Sequence, residues 1–237
     1  MITPRQKLSF KDRLDAAQML YDVLPLDDIM QKKPLLVCSS LDSVVLVDYI
    51  ARKLKLSYEL LFTENIVSPI NPDCIIAMVS ETEEIVVIDE LVKSFGINLD
   101  YVYGESSRKY EEKILKNVYK YRKGELIGSF EGKNILLMDE GCETGITALT
   151  CLKSIISLNA KSVSYATPLI ASDVVQNLSI VTDQIYTVHS IANFVEVDFY
   201  YDDKTKANSQ KIISILEESP YYLPLQKEGD KETCSIQ

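Results

Sequence analysis

The chain has 237 residues, of which 46% are hydrophobic and 25% are charged, so it can form one large domain or a domain with a small appendage. Its uninterrupted apolar runs last only a handful of residues, which excludes a membrane-spanning helix and argues against a disordered chain. No apolar stretch follows the basic residues at the N-terminus, so we expect no secretory signal and a cytoplasmic protein.

The formal net charge of −10 argues against DNA or RNA as a partner, because no segment concentrates Lys and Arg enough to overcome it. An anionic ligand therefore has to be held by local groups, such as a helix N-terminus, backbone amides or a metal ion. The five cysteines include no Cys-x-x-Cys pair, and His189 is the only histidine in the sequence. We therefore expect no protein-held zinc ion, no disulfide framework and no His-based triad.

Short β-branched runs alternate with segments of helical period, which predicts an α/β fold. The predicted elements are, in chain order, a helix over 10–23 capped by Ser9, a strand over 35–39, a helix over 43–54, strands over 60–62, 75–79 and 84–88, a long helix over 106–123, a strand over 135–138, a helix over 147–158, a strand over 162–166, a helix over 172–178, a strand over 185–188 and a helix over 205–218. Prolines and charged residues of both signs follow this last helix. We therefore expect one domain over residues 1–218 and a loosely ordered C-terminal tail over 219–237.

The segment over residues 134–148 carries the strongest functional signal. A fully apolar predicted strand is followed by Asp139 and Glu140, then by the pattern Gly-x-x-Thr-Gly-x-Thr over 141–147, then by a helix. In α/β folds, ligands bind at the carboxyl ends of buried parallel strands, where this strand delivers both acids. The free amides at the helix start, with the hydroxyls of Thr144 and Thr147, can hold a phosphate, and the acids suit the vicinal hydroxyls of a sugar. The alternative is an ordinary strand-to-helix turn with solvated acids and Thr147 as a helix cap.

This segment resembles the signature of the type I phosphoribosyltransferases, in which an apolar strand, an acidic pair and a Thr-Gly-x-Thr loop bind 5-phosphoribosyl-1-pyrophosphate. Weaker similarities to a bacterial group of these proteins lie at residues 10–16, 121–124 and 194–203. The resemblance implies a doubly wound, mainly parallel sheet flanked by helices, with a small hood. It also implies a small-molecule phosphoribosyl substrate, a base as acceptor, Mg²⁺ bound mainly through the substrate, and a homodimer as a common assembly.

By this resemblance, the acidic pair Asp139 and Glu140 would contact the ribose hydroxyls. The loop residues that would surround the 5-phosphate are Cys142, Glu143, Thr144, Gly145, Ile146 and Thr147. Glu143 has to point away from the phosphate, since like charges about 4 Å apart cost about 4 kcal/mol at an effective dielectric of about 20. It would then be either a catalytic residue, the proton acceptor for a base nitrogen, or a solvated side chain without a role.

Further along the chain, the resemblance implies that Phe194 stacks on the base and that the backbone of Val195 reads the base edge. The alternative for Phe194 is a core aromatic on an edge strand. We interpret His189, just upstream, as a hydrogen-bonded structural residue rather than a catalytic one.

Two sources of positive charge in the bacterial group are absent from this sequence. Residues 39–42 read Ser-Ser-Leu-Asp where the group has Pro-Arg-Gly-Gly, and Glu64-Asn65 replaces an Arg-Lys pair. In phosphoribosyl transfer, Mg²⁺ and basic side chains neutralise the departing pyrophosphate, so these losses affect turnover more than sugar phosphate binding. Arg108 and Lys109 would supply substitute charge if the long helix leans over the site, and otherwise they are solvated. The sequence therefore leaves two hypotheses, an active transferase and a non-catalytic relative that binds a nucleotide or ribose phosphate as a sensor or partner subunit.

Overall fold

The structure is a computed structural model that describes residues 8–226. Its strands are β1 (Leu35–Cys38), β2 (Tyr58–Leu60), β3 (Thr63–Val67), β4 (Ile75–Ser80), β5 (Ile85–Val87), β6 (Asn134–Met138), β7 (Ser162–Ala171) and β8 (Gln184–Ile191). Its α-helices are α1 (Arg13–Val23), α2 (Leu26–Lys32), α3 (Val44–Leu54), α4 (Asp89–Ser94), α5 (Leu99–Lys109), α6 (Leu115–Arg122), α7 (Ile146–Ser157), α8 (Ser172–Leu178) and α9 (Ser209–Glu218). None of the helices within residues 8–226 is both long and apolar enough to cross a bilayer.

Five parallel strands form the main sheet in the order β2-β1-β6-β7-β8. The other three strands form a small antiparallel sheet in the order β3-β4-β5. We call this small sheet, together with α4 and α5, the hood. The predicted fold class, a doubly wound and mainly parallel sheet flanked by helices with a small hood, is confirmed.

The main sheet is buried on both faces. Successive residues of a strand point to opposite sides, so neighbours along one strand belong to different clusters. Leu36 of β1 and Leu136 of β6 share one hydrophobic cluster with residues of α1 and α3. Their neighbours Val37 and Leu137 belong to a second cluster with residues of α7. Helices therefore cover both faces, as is typical of parallel sheets whose strands are continuous apolar runs.

A buried ion pair joins the hood to the rest of the molecule. The Arg122 guanidinium at the end of α6 donates to both carboxylate oxygens of Glu81, just after β4, and the two side chains are 1% and 0% exposed. Glu81 also accepts hydrogen bonds from the backbone N–H groups of Phe62 at 3.1 Å and Ile127 at 3.0 Å. The carboxylate thus satisfies donors from three segments that meet beneath the hood.

Several predicted boundaries were wrong. The first helix begins at Arg13 rather than residue 10, because the side chain of Asp12, not Ser9, accepts from the first amides. The strand predicted over 60–62 lies two residues earlier, at Tyr58–Leu60, and β3 was not predicted. The helix predicted over 106–123 begins at Leu99 and passes through a π-helical turn. The last helix begins at residue 209 rather than 205.

Residues 219–226 pack against the domain instead of forming a loose tail. Tyr222 is fully buried, its ring centroid lies 5.4 Å from that of Tyr58, and its hydroxyl donates to the carbonyl of Tyr121 at 3.0 Å. The backbone N–H of Tyr58 donates to the carbonyl of Tyr221 at 2.8 Å. The predicted boundary after residue 218 does not match this packing, and the rest of the predicted tail, 227–237, lies outside the described residues.

Candidate functional site

The candidate site lies where β6 ends and the chain turns into α7. Cys142 extends the pairing between the ends of β6 and β7, because its N–H donates to the carbonyl of Leu169 at 2.8 Å and its carbonyl accepts from Ala171 at 2.9 Å. The Cys142 thiol is also buried. Its amide is therefore not free for a phosphate oxygen, and we assign Cys142 to anchoring the loop rather than to the predicted phosphate contact.

Both glycines of the loop fit where a side chain would not. A Cβ atom on Gly141 would lie 2.7 Å from Cγ1 of Val197, and one on Gly145 would lie 2.5 Å from Cγ1 of Val174. Gly145 also has a φ of +76°, in the left-handed region that L side chains rarely adopt. The tight packing of this turn explains why the Gly-x-x-Thr-Gly pattern is needed here.

A cavity of about 260 Å³ opens at this loop. All the loop residues predicted to surround a phosphate line it, together with the buried Asp139. The first amides of α7 have no acceptor within the helix, and the positive end of the helix dipole lies with them, so they can donate to an anion. Glu143 is exposed, which leaves both of its predicted orientations open.

The two acids at the end of β6 differ in their surroundings. Asp139 is 5% exposed, and its Oδ1 accepts from the backbone N–H of Glu140 at 3.0 Å. Glu140 is partly buried, and its Oε2 accepts from the Ser40 hydroxyl at 2.9 Å. The hydroxyl of Tyr201 donates to the Glu140 carbonyl at 2.8 Å and holds the backbone of the pair in place.

Burial is the main electrostatic effect on this pair. It raises the pKa of Asp139, and burial together with the nearby Asp139 charge raises the pKa of Glu140 well above its usual range. The two carboxyl groups lie side by side at the end of β6, and each accepts a hydrogen bond from the protein.

We expect Glu140→Gln to make the ligand-free protein more stable at pH 7.5. Because the folded-state pKa of Glu140 is raised above its unfolded value, folding favours the protonated form, and stability falls as pH rises from the unfolded value toward the folded one. The neutral amide removes that loss. Urea unfolding at pH 5 and pH 7.5 measures it, with Glu125→Gln at an exposed position as control. A Gln variant less stable than the parent at pH 7.5, or with an undiminished fall between the two pH values, would contradict this account.

The predicted base-binding residues lie outside this cavity. The Phe194 ring is half-buried with its centroid 5.0 Å from that of Tyr200, and Val195 is 57% exposed with its N–H donating to the Tyr200 hydroxyl at 3.3 Å. Val197, two residues further along, does line the cavity. The base-binding roles of Phe194 and Val195 therefore stay predictions. His189 lies against Phe10, with ring centroids 5.6 Å apart, and partial burial lowers its pKa.

The structure also shows where the candidate substitute charges lie. Arg108 forms ion pairs of 2.7 Å with Glu105, three residues before it, and with Glu112, four residues after it. Its side chain is 49% exposed. Arg108 is therefore a solvated side chain, which is the alternative given above to a role as substitute charge. Burial raises the pKa of Glu64, and the charges of Lys109 and its neighbour Lys113 counteract that rise. Lys109 is thus close enough to a carboxylate of the hood for its charge to act on it.

Three cavity-lining residues were missed by the sequence reasoning: Asn65 and Ile75 of the hood, and Val197. The sequence marks Asn65 only as the replacement for a basic residue, and Val197 only as part of the segment 194–203. Neither has a local signal for a role at the loop, because both reach it through the tertiary fold.

The five-stranded parallel sheet, its hood and the loop at the end of β6 together define a type I phosphoribosyltransferase-like fold. TT1426 from Thermus thermophilus is similar in structure, with a TM-score of 0.70 and 21% sequence identity over 89% of this chain and 99% of that chain. The purine phosphoribosyltransferase from Pyrococcus horikoshii Ot3 has a TM-score of 0.39 and 11% identity over 78% of this chain and 93% of its own. The L. donovani hypoxanthine-guanine phosphoribosyltransferase has a TM-score of 0.41 and 11% identity over 79% of this chain and 86% of its own.

No protein-family model matches the sequence, and no curated protein sequence matches it either. At 21% identity, the similarity to TT1426 concerns the fold alone. The function therefore has to be argued from the site itself.

Proposed function

We propose that this protein is a phosphoribosyltransferase that binds 5-phosphoribosyl-1-pyrophosphate and transfers its phosphoribosyl group to a nitrogenous base, with release of pyrophosphate. One observation carries the proposal: the cavity of about 260 Å³ joins the N-terminus of α7 to the buried acid Asp139. A helix N-terminus suits a phosphate and an acidic pair suits a diol, and ribose 5-phosphate carries both groups on one small ring.

In this proposal the amides of the loop and the hydroxyls of Thr144 and Thr147 hold the 5-phosphate. Asp139 and Glu140 accept hydrogen bonds from the ribose hydroxyls, so the ring lies across the end of β6 with its C1 atom directed away from the phosphate. Carboxylates held beside the ring also stabilise the positive charge that develops in an oxocarbenium-like transition state. The acids thus bind the ground state and favour the transition state from the same position.

Magnesium fits this site only through the substrate. Within residues 8–226, no three or more His, Cys, Asp and Glu side chains are arranged to hold a metal ion. A Mg²⁺ ion would therefore depend mainly on the pyrophosphate oxygens, where it would neutralise charge on the leaving group. We propose it as a companion of the substrate rather than as a resident cofactor.

A second candidate function is a non-catalytic protein that binds a nucleotide or ribose phosphate as a sensor or partner subunit. The observation that favours it is the loss of basic residues where the resemblance expects them: Ser40 replaces the arginine of the first loop, with Asp42 close by, and Glu64 replaces the arginine of the second. Both alternatives use the same phosphate loop and acidic pair, and they differ at the pyrophosphate end.

Calorimetric titration separates these two functions. We expect ribose 5-phosphate and 5-phosphoribosyl-1-pyrophosphate both to bind, and the second to bind more tightly when Mg²⁺ is present, with pyrophosphate released when purine or pyrimidine bases are added. Equal affinities that Mg²⁺ does not change, with no release of pyrophosphate, would favour the sensor or subunit. Failure of both sugar phosphates to bind would contradict both functions.

A further inference from the structure

A second cavity, of about 430 Å³, lies beside the loop that follows β1. Asp42 lines it from that loop, and Asp12 and Arg13 line it from the start of α1. The segment before α9 closes the other side and contributes Lys206. The loop on one wall is the one that lacks the basic residue expected by resemblance. A positive charge elsewhere around this cavity could therefore take the place of that residue.

Lys206 brings a positive charge to that loop. Its Nζ lies 2.7 Å from Oδ2 of Asp42 and 3.9 Å from Oδ2 of Asp198. Asp198 already has a strong partner, because Nη2 of the largely buried Arg13 lies 2.6 Å from its Oδ1. Asp42 is therefore the principal partner of Lys206.

The ion pair between Lys206 and Asp42 is partly open to solvent, with side-chain exposures of 47% and 33%. Pairs this exposed contribute little free energy, because water and salt screen them. A ligand with several negative charges, such as a pyrophosphate, competes well with a single carboxylate for such a lysine. Lys206 can thus exchange its partner Asp42 for a pyrophosphate oxygen.

A chain of contacts leads from this lysine through the acidic pair to the phosphate cavity, which Asp139 lines. Ser40, which donates to Glu140, is two residues from Asp42 and in the same loop. Burial alone lowers the pKa of Lys206, but Asp42, Asp198 and Glu140 outweigh that effect and raise it, so the lysine is charged at neutral pH and close enough to Glu140 to be influenced by it. In a phosphoribosyl compound the C1 substituent and the 5-phosphate are at opposite ends of the ring, with the diol between them. A ring with its phosphate in the first cavity and its diol at the acidic pair would therefore have its C1 substituent at the end nearer to Lys206.

We propose that Lys206 supplies the positive charge that the loop after β1 lacks, binding the pyrophosphate end of the substrate, and that Asp42 holds this lysine until the pyrophosphate displaces it. The inference rests on the proposed function and names the residue that distinguishes a pyrophosphorylated ribose from a plain ribose phosphate. It also accounts for a loop that lacks its base, since Asp42 of that loop pairs with a lysine from a distant segment.

The test compares Lys206→Gln with the parent protein by calorimetry in Mg²⁺, using ribose 5-phosphate, 5-phosphoribosyl-1-pyrophosphate and inorganic pyrophosphate. We expect the affinity for both pyrophosphate ligands to fall about tenfold, as for the loss of one charge-assisted hydrogen bond, and the affinity for ribose 5-phosphate to stay unchanged. Asp42→Asn should strengthen pyrophosphate binding in the parent and have no such effect in the Lys206→Gln background. Lys204→Gln, two residues away in the same segment, is the matched control and should change neither affinity.

The three ligands separate the two ways of failing. Absence of ribose 5-phosphate binding to the parent would overturn the proposed function, and the Lys206 dependence of inorganic pyrophosphate binding would still decide the inference. Pyrophosphate affinities that are the same in the parent and in Lys206→Gln, or no pyrophosphate binding at all, would overturn the inference. Equal losses for all three ligands would indicate that Lys206 only holds the segment in place, which would also overturn it.

Discussion

Replacing Thr144 by valine is expected to weaken ribose 5-phosphate binding by about 10-fold to 100-fold, the range for one hydrogen bond to a charged group. Valine keeps the shape of threonine but puts a methyl group where the hydroxyl would donate to the phosphate. The side chain is exposed, and the hydrogen bond that its hydroxyl accepts from the N–H of Ile146 is a long one of 3.5 Å. The free energy of unfolding should therefore change little.

The matched control is Thr182→Val, which makes the same chemical change in the turn after α8. It should leave the ribose 5-phosphate affinity as it is in the parent. Gly145 is a poorer position for this test, because any side chain there meets Val174 and requires a strained backbone. Unchanged affinity in Thr144→Val would contradict the role given to the loop.

Glu81→Gln is expected to have the largest effect on stability. The change leaves the buried Arg122 guanidinium without its counter-charge, which typically costs about 3–5 kcal/mol. Nε and Nη1 of Arg122 already lack a hydrogen-bond partner in the described part of the chain, and the Phe62 ring, 5.0 Å from Cζ, does not replace a counter-charge. For a chain of this size the melting temperature should fall by roughly 10 °C.

Urea unfolding of Glu81→Gln measures this loss, with Arg108→Met as the control at an exposed ion pair. The control should cost less than about 1 kcal/mol, because exposed pairs contribute little. The double variant Glu81→Gln with Arg122→Met should recover part of the stability, since it removes both buried charges and leaves an amide oxygen to accept from the backbone at this position. A Glu81→Gln variant as stable as the control would show that the pair does not hold the hood to the sheet.

The sequence was most informative where the signal is local. The apolar strand, the acidic pair and the glycine loop follow one another along the chain, and the predicted strand over 135–138 and helix over 147–158 each match the structure to within one residue at either end. Helix starts were less predictable, because Ser9 and Asp12 are both capping residues and only the folded chain shows which one accepts the amides. The strand β3 was missed because it follows β2 closely and its five residues, Thr-Glu-Asn-Ile-Val, do not alternate between polar and apolar.

The remainder of the site depends on contacts between distant segments. Asn65 and Val197 reach the phosphate cavity from the hood and from the segment after β8, and no local pattern marks either of them. The pair of Lys206 and Asp42 joins residues 164 positions apart. The sequence alone shows that the basic residue of the first loop is missing, but only the fold shows which lysine stands beside that loop.

The central claim is that the turn between β6 and α7 holds the terminal phosphate of a ribose while the acids before it hold the sugar hydroxyls. A crystal structure of the protein with ribose 5-phosphate tests this most directly. We expect the phosphate within hydrogen-bond distance of the amides and hydroxyls over residues 143–147, and the ribose diol at Asp139 and Glu140. A sugar phosphate bound elsewhere, with this turn free of ligand, would contradict the claim.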